Sequence, residues 1–412
     1  MFEKSTKHLK LAKDVLIPII DFEQTVIKSA DGVYLYDCND NMLLDVNGGQ
    51  FSNIFGYNNK DFNNFIKNSL TKSVHINTGM LSEQVINSMN LLCNTAKEMD
   101  PKGITLSTGS EAIEFAIRYA KKGTRKNGVI SFSSGYHGLT LGSQSLTYGG
   151  KFALPLVNQT YQVEFNNDNQ DKIVSDLEYI LVNNNDISCF VIEPFLGVGG
   201  MYPIKESVLK DIKEVCEKYG VLLIFDECQS GFGRTGKWYY YQQVNVVPDV
   251  LVVAKGIGNG FPVSAVLIKN DTLEKYPYNL TNYSSHQNDP ISADIIEFGI
   301  NKVGSILNSI EEKGIYFREE LVNLKSNHIK NVRGMGLMVG FDLEQDLIDS
   351  RTFYKIFKLT CLENGLVIQG TNEGKVIRFL PAYVISTNEL DEVITKLEIS
   401  LNQSINEAKK NV

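Results

Sequence analysis

The sequence has few features of a secreted, membrane-bound or nucleic-acid-binding protein. Its six cysteines are scattered without a CxxC pair, which argues against a disulfide framework or a cysteine zinc site and indicates reduced thiols. The net charge of −8, with no block of lysines and arginines, gives no support for nucleic-acid binding. The N-terminal apolar run, VLIPII, is too short for a signal peptide, and no run approaches the ~18 residues of a membrane span. We therefore expect a soluble, cytoplasmic protein.

Short apolar runs alternate with amphipathic segments between about residues 100 and 270. The predicted strands are residues 103–108, 128–132, 189–194, 221–227, 250–255 and 264–268. They are continuously apolar, which is typical of strands that are covered on both faces. Between them, residues 110–123 and 205–220 place apolar side chains on one face of a predicted helix. This alternation predicts an α/β fold with a mostly parallel, doubly wound sheet.

The chain is long enough for two domains, and its character changes near residue 300. Residues 304–412 contain long polar helices around two apolar segments, 332–343 and 375–385. We expect a large domain over residues 51–300 and a smaller α+β domain over residues 301–412. The N-terminal residues 1–50 are expected to contribute to the smaller domain.

Chemically useful residues stand where several of the predicted strands end. The turn Ser107-Thr108-Gly109-Ser110 follows one strand, and Glu193, Asp226 and Lys255 stand at the ends of three others. Because ligand sites of such sheets lie at the carboxyl ends of the strands, we expect these residues to converge. Two of them have an ordinary structural alternative. Lys255 could be a surface lysine whose aliphatic part is covered, and Asp226 could be a helix cap or a hydrogen-bonded carboxylate in the core.

Taken together, these residues suit one cofactor, pyridoxal 5'-phosphate (PLP). Its aldehyde needs an amine, which Lys255 would supply, and its ring nitrogen needs a carboxylate, which Asp226 would supply. Gly109 and Ser110 stand at the start of a predicted helix, where free N–H groups and the helix dipole attract a phosphate. The sequence therefore predicts a PLP site at the strand ends.

A second phosphate-binding pattern, GFGRTGKW at residues 231–238, does not fit its motif. It begins as a Walker loop, G-x-x-x-x-G-K, but Trp238 stands where a serine or threonine should bind magnesium. The segment also follows the paired acids Asp226 and Glu227, with no clear helix opening after it. We therefore reject a nucleotide-hydrolysing function.

Several long stretches resemble class-III, fold-type-I pyridoxal-phosphate aminotransferases, so that the resemblance covers nearly the whole chain. The stretches are STGSEAIEFAIRYAKK (107–122), GYHGLTLGSQSLTY (135–148), FVIEPFLGVGGMYP (190–203), residues 222–267, VRGMGLMVGFDL (332–343) and VIRFLPAYVIS (376–386). The resemblance implies transfer of an amino group from an α-amino acid to a 2-oxo acid. It also implies a homodimer whose active site is shared across the interface, with no nucleic-acid or membrane partner.

The resemblance assigns catalytic roles to individual residues. Lys255 would form the internal aldimine with PLP, and Asp226 would pair with the pyridine nitrogen. Tyr136 would stack on the ring, Gln229 would bind the phenolic oxygen, and Arg378 would bind the substrate α-carboxylate as a bidentate fork.

Other residues would complete the cofactor site. Ser285 stands where the family usually has a threonine that reaches the phosphate from the neighbouring subunit. Glu193 would position groups around the ring. The further cofactor-binding residues that the resemblance implies are Gly109, Ser110 and His137.

Val198 bears on the choice of substrate. Ornithine- and aminobutyrate-type relatives carry EPIQGEGG, in which the second glutamate covers the substrate-binding arginine while a distal amine reacts. The present chain has EPFLGVGG, with Val198 at that place. The replacement favours α-amino acids over ω-amines, unless another acid fills the role from elsewhere.

Residues 43–59 and 75–82 resemble dialkylglycine decarboxylases, and Gln50 stands where those enzymes have a catalytic glutamine. SSHQNDP (284–290) is also closer to their pattern than to the common one. Against this, Val198 replaces their serine that contacts the substrate carboxylate, and Tyr136 replaces their tryptophan over the ring. Transamination is therefore the main prediction. Decarboxylation-dependent transamination, epimerisation or racemisation, and non-enzymatic PLP binding are the alternatives.

The same resemblance implies a monovalent cation, K⁺ or Na⁺, close to the site. Hard oxygen ligands with a single full charge suit a weakly charged ion better than calcium. The alternative is that Asp289 caps the helix that follows Pro290. The ligands implied are the carbonyls of Ile76, Ser285 and Gln287, the oxygens of Thr78 and the carboxylate of Asp289.

Overall fold

The computed structural model describes residues 3–20, 22–149, 159–277 and 284–410. The chain divides into two compact units. Unit 1 comprises Met1–Asn63, Ile315–Val332 and Val339–Val412, and unit 2 comprises Asn64–Gly314 and Arg333–Met338. The bounds proposed from the sequence, after residues 50 and 300, thus fall inside unit 1 and unit 2 respectively.

The secondary structure follows the chain in this order. The helices are α1 (Glu3–Val15), α2 (Gly48–Phe51), α3 (Lys60–Ser69), α4 (Glu83–Thr95), α5 (Gly109–Thr124), α6 (Leu141–Gln144), α7 (Asp171–Asn183), α8 (Glu206–Tyr219), α9 (Tyr241–Val244), α10 (Asn270–Lys275), α11 (Pro290–Val303), α12 (Leu307–Asn323), α13 (Ser350–Glu363) and α14 (Thr387–Lys410). The strands are β1 (Ile27–Asp31), β2 (Tyr34–Asp37), β3 (Met42–Asp45), β4 (Pro101–Leu106), β5 (Gly128–Phe132), β6 (Thr160–Val163), β7 (Ile187–Ile192), β8 (Phe195–Leu196), β9 (Tyr202–Pro203), β10 (Leu222–Asp226), β11 (Val250–Val253), β12 (Ser264–Lys269), β13 (Ile329–Met335), β14 (Met338–Leu343), β15 (Leu366–Val367), β16 (Gln369–Thr371) and β17 (Val376–Phe379).

The central feature of unit 2 is a seven-stranded sheet in the order β4-β12-β11-β10-β7-β5-β6. Strand β12 runs antiparallel to both of its neighbours, whereas the pairs β11–β10, β10–β7, β7–β5 and β5–β6 are parallel. Strands β5, β7, β10 and β11 are buried along their whole length, which explains their continuous apolar runs. The prediction of a mostly parallel α/β sheet is confirmed.

Helix α5 shows how the local sequence sets up the sheet edge. Its N-cap, Thr108, accepts a hydrogen bond from the backbone N–H of Glu111 through its side chain. Alanine and isoleucine side chains on the face predicted to be apolar are buried against the sheet. The helix therefore begins directly after β4, with its N-terminus beside the carboxyl end of that strand.

Unit 1 contains the C-terminal helices and most of two four-stranded sheets, the second of which includes Arg333–Met335 and Met338 of unit 2. The sheet orders are β1-β2-β3-β15 and β13-β14-β17-β16. Strand β17, which carries Arg378, lies between β14 and β16, so that Arg378 is opposite Gly340 on one side and Gln369 on the other. Among the residues described in either unit, no helix is both long and apolar enough to cross a membrane.

Candidate active site

The carboxyl ends of the parallel strands in unit 2 bring most of the predicted site residues together. Strand β10 ends at Asp226, β7 is followed by Glu193, and β11 is followed by Ala254 and Lys255. The loop after β5 carries Tyr136 and His137, and α5 begins after β4. Hydrogen bonds and close contacts between these segments, described below, join them into one site.

The carboxylate of Asp226 is held from both sides in the interior of unit 2. Its Oδ2 lies 2.8 Å from His137 Nδ1, and its Oδ1 accepts a hydrogen bond of 3.1 Å from the backbone N–H of Cys228. Burial alone would raise the pKa of Asp226. The hydrogen bond and charge of His137, together with Cys228 and Lys255, outweigh burial and hold that pKa below its usual value. Asp226 is therefore a buried carboxylate that stays ionised.

His137 has a defined orientation because its backbone and its ring are both anchored. Its backbone N–H donates to Thr147 Oγ1 at 2.9 Å, and its side chain is fully buried. Since an ionised carboxylate can only accept, the Nδ1 that faces Asp226 carries a proton. The resemblance implies that His137 lies in the cofactor site, but no pattern in the sequence predicts its contact with Asp226, which lies 89 positions away.

Glu193 is a second buried carboxyl, and it links three segments. Its Oε2 accepts from the backbone N–H of Tyr136 at 2.9 Å, and its Oε1 accepts from Gly197 N at 3.2 Å and from Gln229 Nε2 at 3.0 Å. Burial, opposed by His137 and by its backbone hydrogen bonds, raises the pKa of Glu193 to about 7. Glu193 therefore fixes the positions of the loop before His137 and of the Gln229 amide.

The N-terminus of α5, where a phosphate is predicted to bind, is tightly packed against the loop after β5. The first N–H groups of a helix have no acceptor within the helix, so those of Gly109 and Ser110 remain available for a phosphate. Ser110 Oγ accepts a hydrogen bond of 3.2 Å from the backbone N–H of Leu139. Gly138 has a φ of +117°, and a Cβ there would lie 2.1 Å from Ser110 Oγ. Only glycine fits at that position without moving the serine.

Lys255 has an unusual backbone conformation. It opens a short 3₁₀ turn, Lys255–Gly258, and has a φ of +53°, which lies in the left-handed region that disfavours a lysine. Such strain occurs at functional sites, where the surrounding structure compensates for it. The side chain is half-buried, and its charge is one of the influences that lower the pKa of Asp226. Lys255 thus lies within electrostatic reach of the predicted ring-nitrogen partner.

Two observations show that the residues of unit 2 suit PLP. Two buried polar atoms lack a hydrogen-bond partner, and the site contains the chemical groups that PLP requires. Among the described residues, Gln229 Oε1 and His137 Nε2 are buried side-chain atoms without a hydrogen-bond partner. Buried polar atoms are rarely left in this state unless a ligand or ion completes them. An amine, an ionised carboxylate, an amide and a helix N-terminus are the groups that PLP requires.

Gln50 and Arg378 belong to unit 1. Gln50 is exposed and has a φ of +60°, in a turn that Asp45 stabilises by accepting hydrogen bonds from Asn47 N and Gly49 N. Arg378 is buried, and its guanidinium lies 5.0 Å from the centre of the Phe51 ring. The turn that carries Gln50 therefore places the next residue, Phe51, against the predicted carboxylate-binding arginine.

The residues predicted to bind an alkali-metal ion have a different arrangement from a simple helix cap. Asp289 is at the N-cap position of α11 and Pro290 is at the first turn, but the Asp289 side chain makes no capping hydrogen bond. Its carboxylate contacts two imidazoles, those of His75 and His286. The other predicted ligands lie beside these histidines in the chain and are partly or fully exposed. They are Ile76 and Thr78, which follow His75, and Ser285 and Gln287, which flank His286. The alkali-ion site stays a prediction.

The sheet order defines the fold class, that of the fold-type-I transaminases. A transaminase from the marine bacterium Virgibacillus superposes with a TM-score of 0.91 over 97% of this chain and 99% of its own, at 21% identity. The model of the family "Aminotransferase class-III" matches residues 21–401, so the chain belongs to the class-III aminotransferases.

Two relatives support the same assignment. An acetylornithine aminotransferase of Archaeoglobus fulgidus is 32% identical over 388 residues, which cover 92% of this chain and 96% of its own. An adenosylmethionine-8-amino-7-oxononanoate aminotransferase of Staphylococcus aureus is 32% identical over 417 residues, covering 90% of each chain. The protein is a PLP-dependent aminotransferase, and that prediction is confirmed.

Proposed function

We propose that this aminotransferase takes its amino group from an α-amino acid and passes it to a 2-oxo acid, with Lys255 as the residue that holds PLP covalently. The observation that carries the proposal is the convergence at one sheet edge of the strained Lys255, the ionised Asp226 and the N-terminus of α5. These groups are matched to the aldehyde, ring nitrogen and phosphate of PLP.

PLP, when bound, supplies a sink for the electrons left behind when a bond to the substrate Cα breaks. Asp226, kept ionised by His137, would hold the proton on the ring nitrogen. Lys255 Nζ would accept the proton that leaves Cα, acting first as general base and then as general acid. Gly109 and Ser110 would bind the phosphate through their backbone N–H groups. Tyr136, fixed through its backbone by Glu193, would cover one face of the ring.

Arg378 would select substrates through their α-carboxylate. A guanidinium binds a carboxylate with two parallel hydrogen bonds, which sets the orientation of the bonds at Cα. Holding the carboxylate in the ring plane favours loss of the Cα proton. If Gln50 instead turned the carboxylate out of plane, decarboxylation would follow, and returning the proton to the opposite face would give racemisation. Val198 supports an α-amino acid donor because it stands where ω-amine-specific members have a glutamate.

A substrate panel tests the proposal. Holoenzyme is mixed with alanine, glutamate, valine, N2-acetylornithine or benzylamine, and the conversion of PLP to its pyridoxamine form is followed by absorbance. The proposal expects one of the α-amino acids to react fastest. N2-acetylornithine enters the panel because relatives named acetylornithine aminotransferases share about a third of the sequence. Faster conversion by acetylornithine or benzylamine would contradict an α-amino acid donor.

Two further measurements on the same reactions distinguish transamination from decarboxylation and racemisation. Release of CO₂ in proportion to the oxo acid would identify decarboxylating transamination. Exchange of the Cα proton with deuterium, with inversion of configuration and no oxo acid, would identify a racemase. In Arg378→Ala, kcat/KM for an α-amino acid should fall by about 10- to 100-fold. Benzylamine, which has no carboxylate, should be converted at an unchanged rate.

A homodimer in the cytoplasm is part of the proposal. The segment from residue 70 to residue 86 exposes large apolar side chains to an extent unusual for a monomer surface. These side chains are Leu70, Val74, Met80, Leu81 and Ile86. Sedimentation of the holoenzyme should give the mass of two chains, and Leu81→Lys should shift the equilibrium toward one chain. A wild-type mass of one chain would contradict the dimer.

A further inference from the structure

Three side chains from two distant segments meet in unit 2 outside the predicted PLP site. His75 lies between α3 and α4, and His286 and Asp289 lie just before α11. His75 Nδ1 is 2.6 Å from Asp289 Oδ1, and His286 Nδ1 is 2.7 Å from Asp289 Oδ2. The two imidazole rings are 4.8 Å apart between centres. One carboxylate therefore stands between two imidazoles, and one of these, His75, lies 214 positions before Asp289 in the chain.

We propose that His75, His286 and Asp289 form a binding site for one divalent transition-metal ion of the zinc type. One donor atom from each of the three side chains lies within 4.8 Å of the other two. Around a tetrahedral zinc ion, nitrogen and oxygen ligands at ordinary bond lengths lie roughly 3.4 Å apart. The two histidine–aspartate distances are shorter than this, so the ion would enter after the imidazoles move back by less than about 1 Å.

The chemistry of the donor set favours a transition ion over an alkali ion. Imidazole nitrogen is a preferred ligand of zinc, nickel, copper and cobalt, whereas alkali and alkaline-earth ions prefer oxygen. The carboxylate would neutralise one of the two charges. Entry of the ion would displace the proton on each Nδ1 to solvent or to Nε2, so that each ring nitrogen could offer its lone pair.

The burial pattern also suits such a site. Asp289 is 9% exposed at its side chain, whereas the imidazoles of His75 and His286 are 47% and 62% exposed. In the single chain, the carboxylate is thus fixed in the protein, and the open side of the imidazoles leaves a fourth position for another ligand. Asn288 anchors this loop to β4, because its backbone N–H donates to Thr105 O and its Oδ1 accepts from Thr105 N, both at 3.0 Å. Only the two imidazoles need to adjust.

The ion would connect segments that carry predicted site residues. His286 directly follows Ser285, the residue predicted to reach a cofactor phosphate, so an ion bound to His286 would also restrain the loop that carries Ser285. The Asp289 carboxylate is also the charged ligand of the predicted alkali-ion site. One carboxylate between two imidazoles cannot bind both ions at the same time with full coordination. The two ions are therefore expected to compete.

Equilibrium dialysis of the holoenzyme against zinc chloride tests the site. Cys38 and Cys93 are the cysteines that are not fully buried, so a Cys38→Ser/Cys93→Ser background removes thiol binding. The proposal expects about one zinc ion per chain. His75→Ala and His286→Ala should each weaken binding roughly tenfold or more. His328→Ala, at a half-buried histidine whose Nδ1 contacts the Glu344 carbonyl, is the matched control and should bind zinc normally.

A crystal of the zinc-soaked wild type provides a readout that needs no variant. An anomalous difference peak between the two imidazoles and Asp289 would support the site, and Asp289→Asn should lose it while circular dichroism stays unchanged. Three results would overturn the proposal. They are an absence of zinc binding, equal binding by the two histidine variants and the control, and a potassium ion at Asp289 that zinc does not displace.

Discussion

His137 Nδ1 lies 2.8 Å from Asp226 Oδ2 in the interior of unit 2, and both side chains are almost entirely inaccessible to water. An isolated carboxylate in such a place would become protonated because burial disfavours its charge. The imidazole reverses that preference and keeps Asp226 ionised, the form that can accept a hydrogen bond from a protonated pyridine nitrogen and so stabilise its positive charge. The pair therefore connects the packing of the loop after β5 with the chemistry expected at the end of β10.

Asp226→Asn tests the charge while keeping the shape of the side chain. The amide cannot hold a proton on the ring nitrogen, so loss of the Cα proton should slow by about 10²-fold or more. Stopped-flow measurement of the PLP-to-pyridoxamine conversion gives this rate directly, and circular dichroism checks that the fold is kept. A rate within tenfold of wild type, about 1.4 kcal/mol in the barrier, would show that Asp226 is structural.

His137→Phe tests how Asp226 is kept ionised. The folded-state pKa of Asp226 is below its usual 3.8, so its contribution to stability is present above about pH 4 and is lost as the pH falls. Without the imidazole, burial should raise that pKa, and acid unfolding should begin at a higher pH than in wild type. Near-ultraviolet circular dichroism during acid titration measures the midpoint. An unchanged or lower midpoint would contradict the role given to His137.

Glu193→Gln should change how stability depends on pH. The folded-state pKa of Glu193 is raised to about 7, so the native state binds more protons than the unfolded state between about pH 4.5 and 7. Stability from this group therefore falls as the pH rises through that window, and the variant should show a flatter profile of Tm against pH.

Glu227→Gln is the matched control for Glu193→Gln. Glu227 is also buried, with a pKa raised to about 7, but it accepts hydrogen bonds from Tyr240 N and Tyr241 N. Both variants should flatten the stability profile. Only Glu193→Gln should also shift the absorbance band of bound PLP, because Glu193 positions Tyr136 and Gln229. Equal spectral shifts in both variants would count against that positioning.

Gly138→Ala should weaken cofactor binding through the phosphate cradle. The added Cβ would lie 2.1 Å from Ser110 Oγ, so the serine or the loop must move. Gly149→Ala is the control, since Gly149 also has a positive φ, +69°, but nothing within 4 Å of the added Cβ. Both variants should lose some stability, and only Gly138→Ala should raise the Kd for PLP, measured by fluorescence titration. Matching Kd values would contradict a cradle at Ser110.

The strands that the sequence predicts best are those that are buried on both faces. The sequence predicts residues 128–132 with the bounds that β5 has, because five consecutive buried positions leave an unbroken apolar run. No pattern in the sequence predicts strand β6, Thr160–Val163. It lies at the edge of the sheet, only its last residue is fully buried, and its polar residues hide the pattern.

The sequence predicts only those residues of the candidate site that stand at the ends of predicted strands. Asp226, Glu193 and Lys255 follow apolar runs, and parallel strands bring such ends to one edge. The contacts of His137 with Asp226 and of His75 with Asp289 depend on how loops far apart in the chain fold back. No local periodicity encodes those distances, so the buried pair and the histidine–aspartate cluster emerged only from the structure.

The most direct test of the central claim is to identify the lysine that holds the cofactor. Holoenzyme is reduced with borohydride, digested, and searched by mass spectrometry for the peptide that carries the pyridoxyl group. The account predicts the adduct on Lys255, and its loss in Lys255→Ala. Lys121 is the informative comparison, because burial lowers its pKa, and Lys121→Ala should leave the adduct unchanged. An adduct on Lys121 or on any lysine other than Lys255 would contradict the assignment.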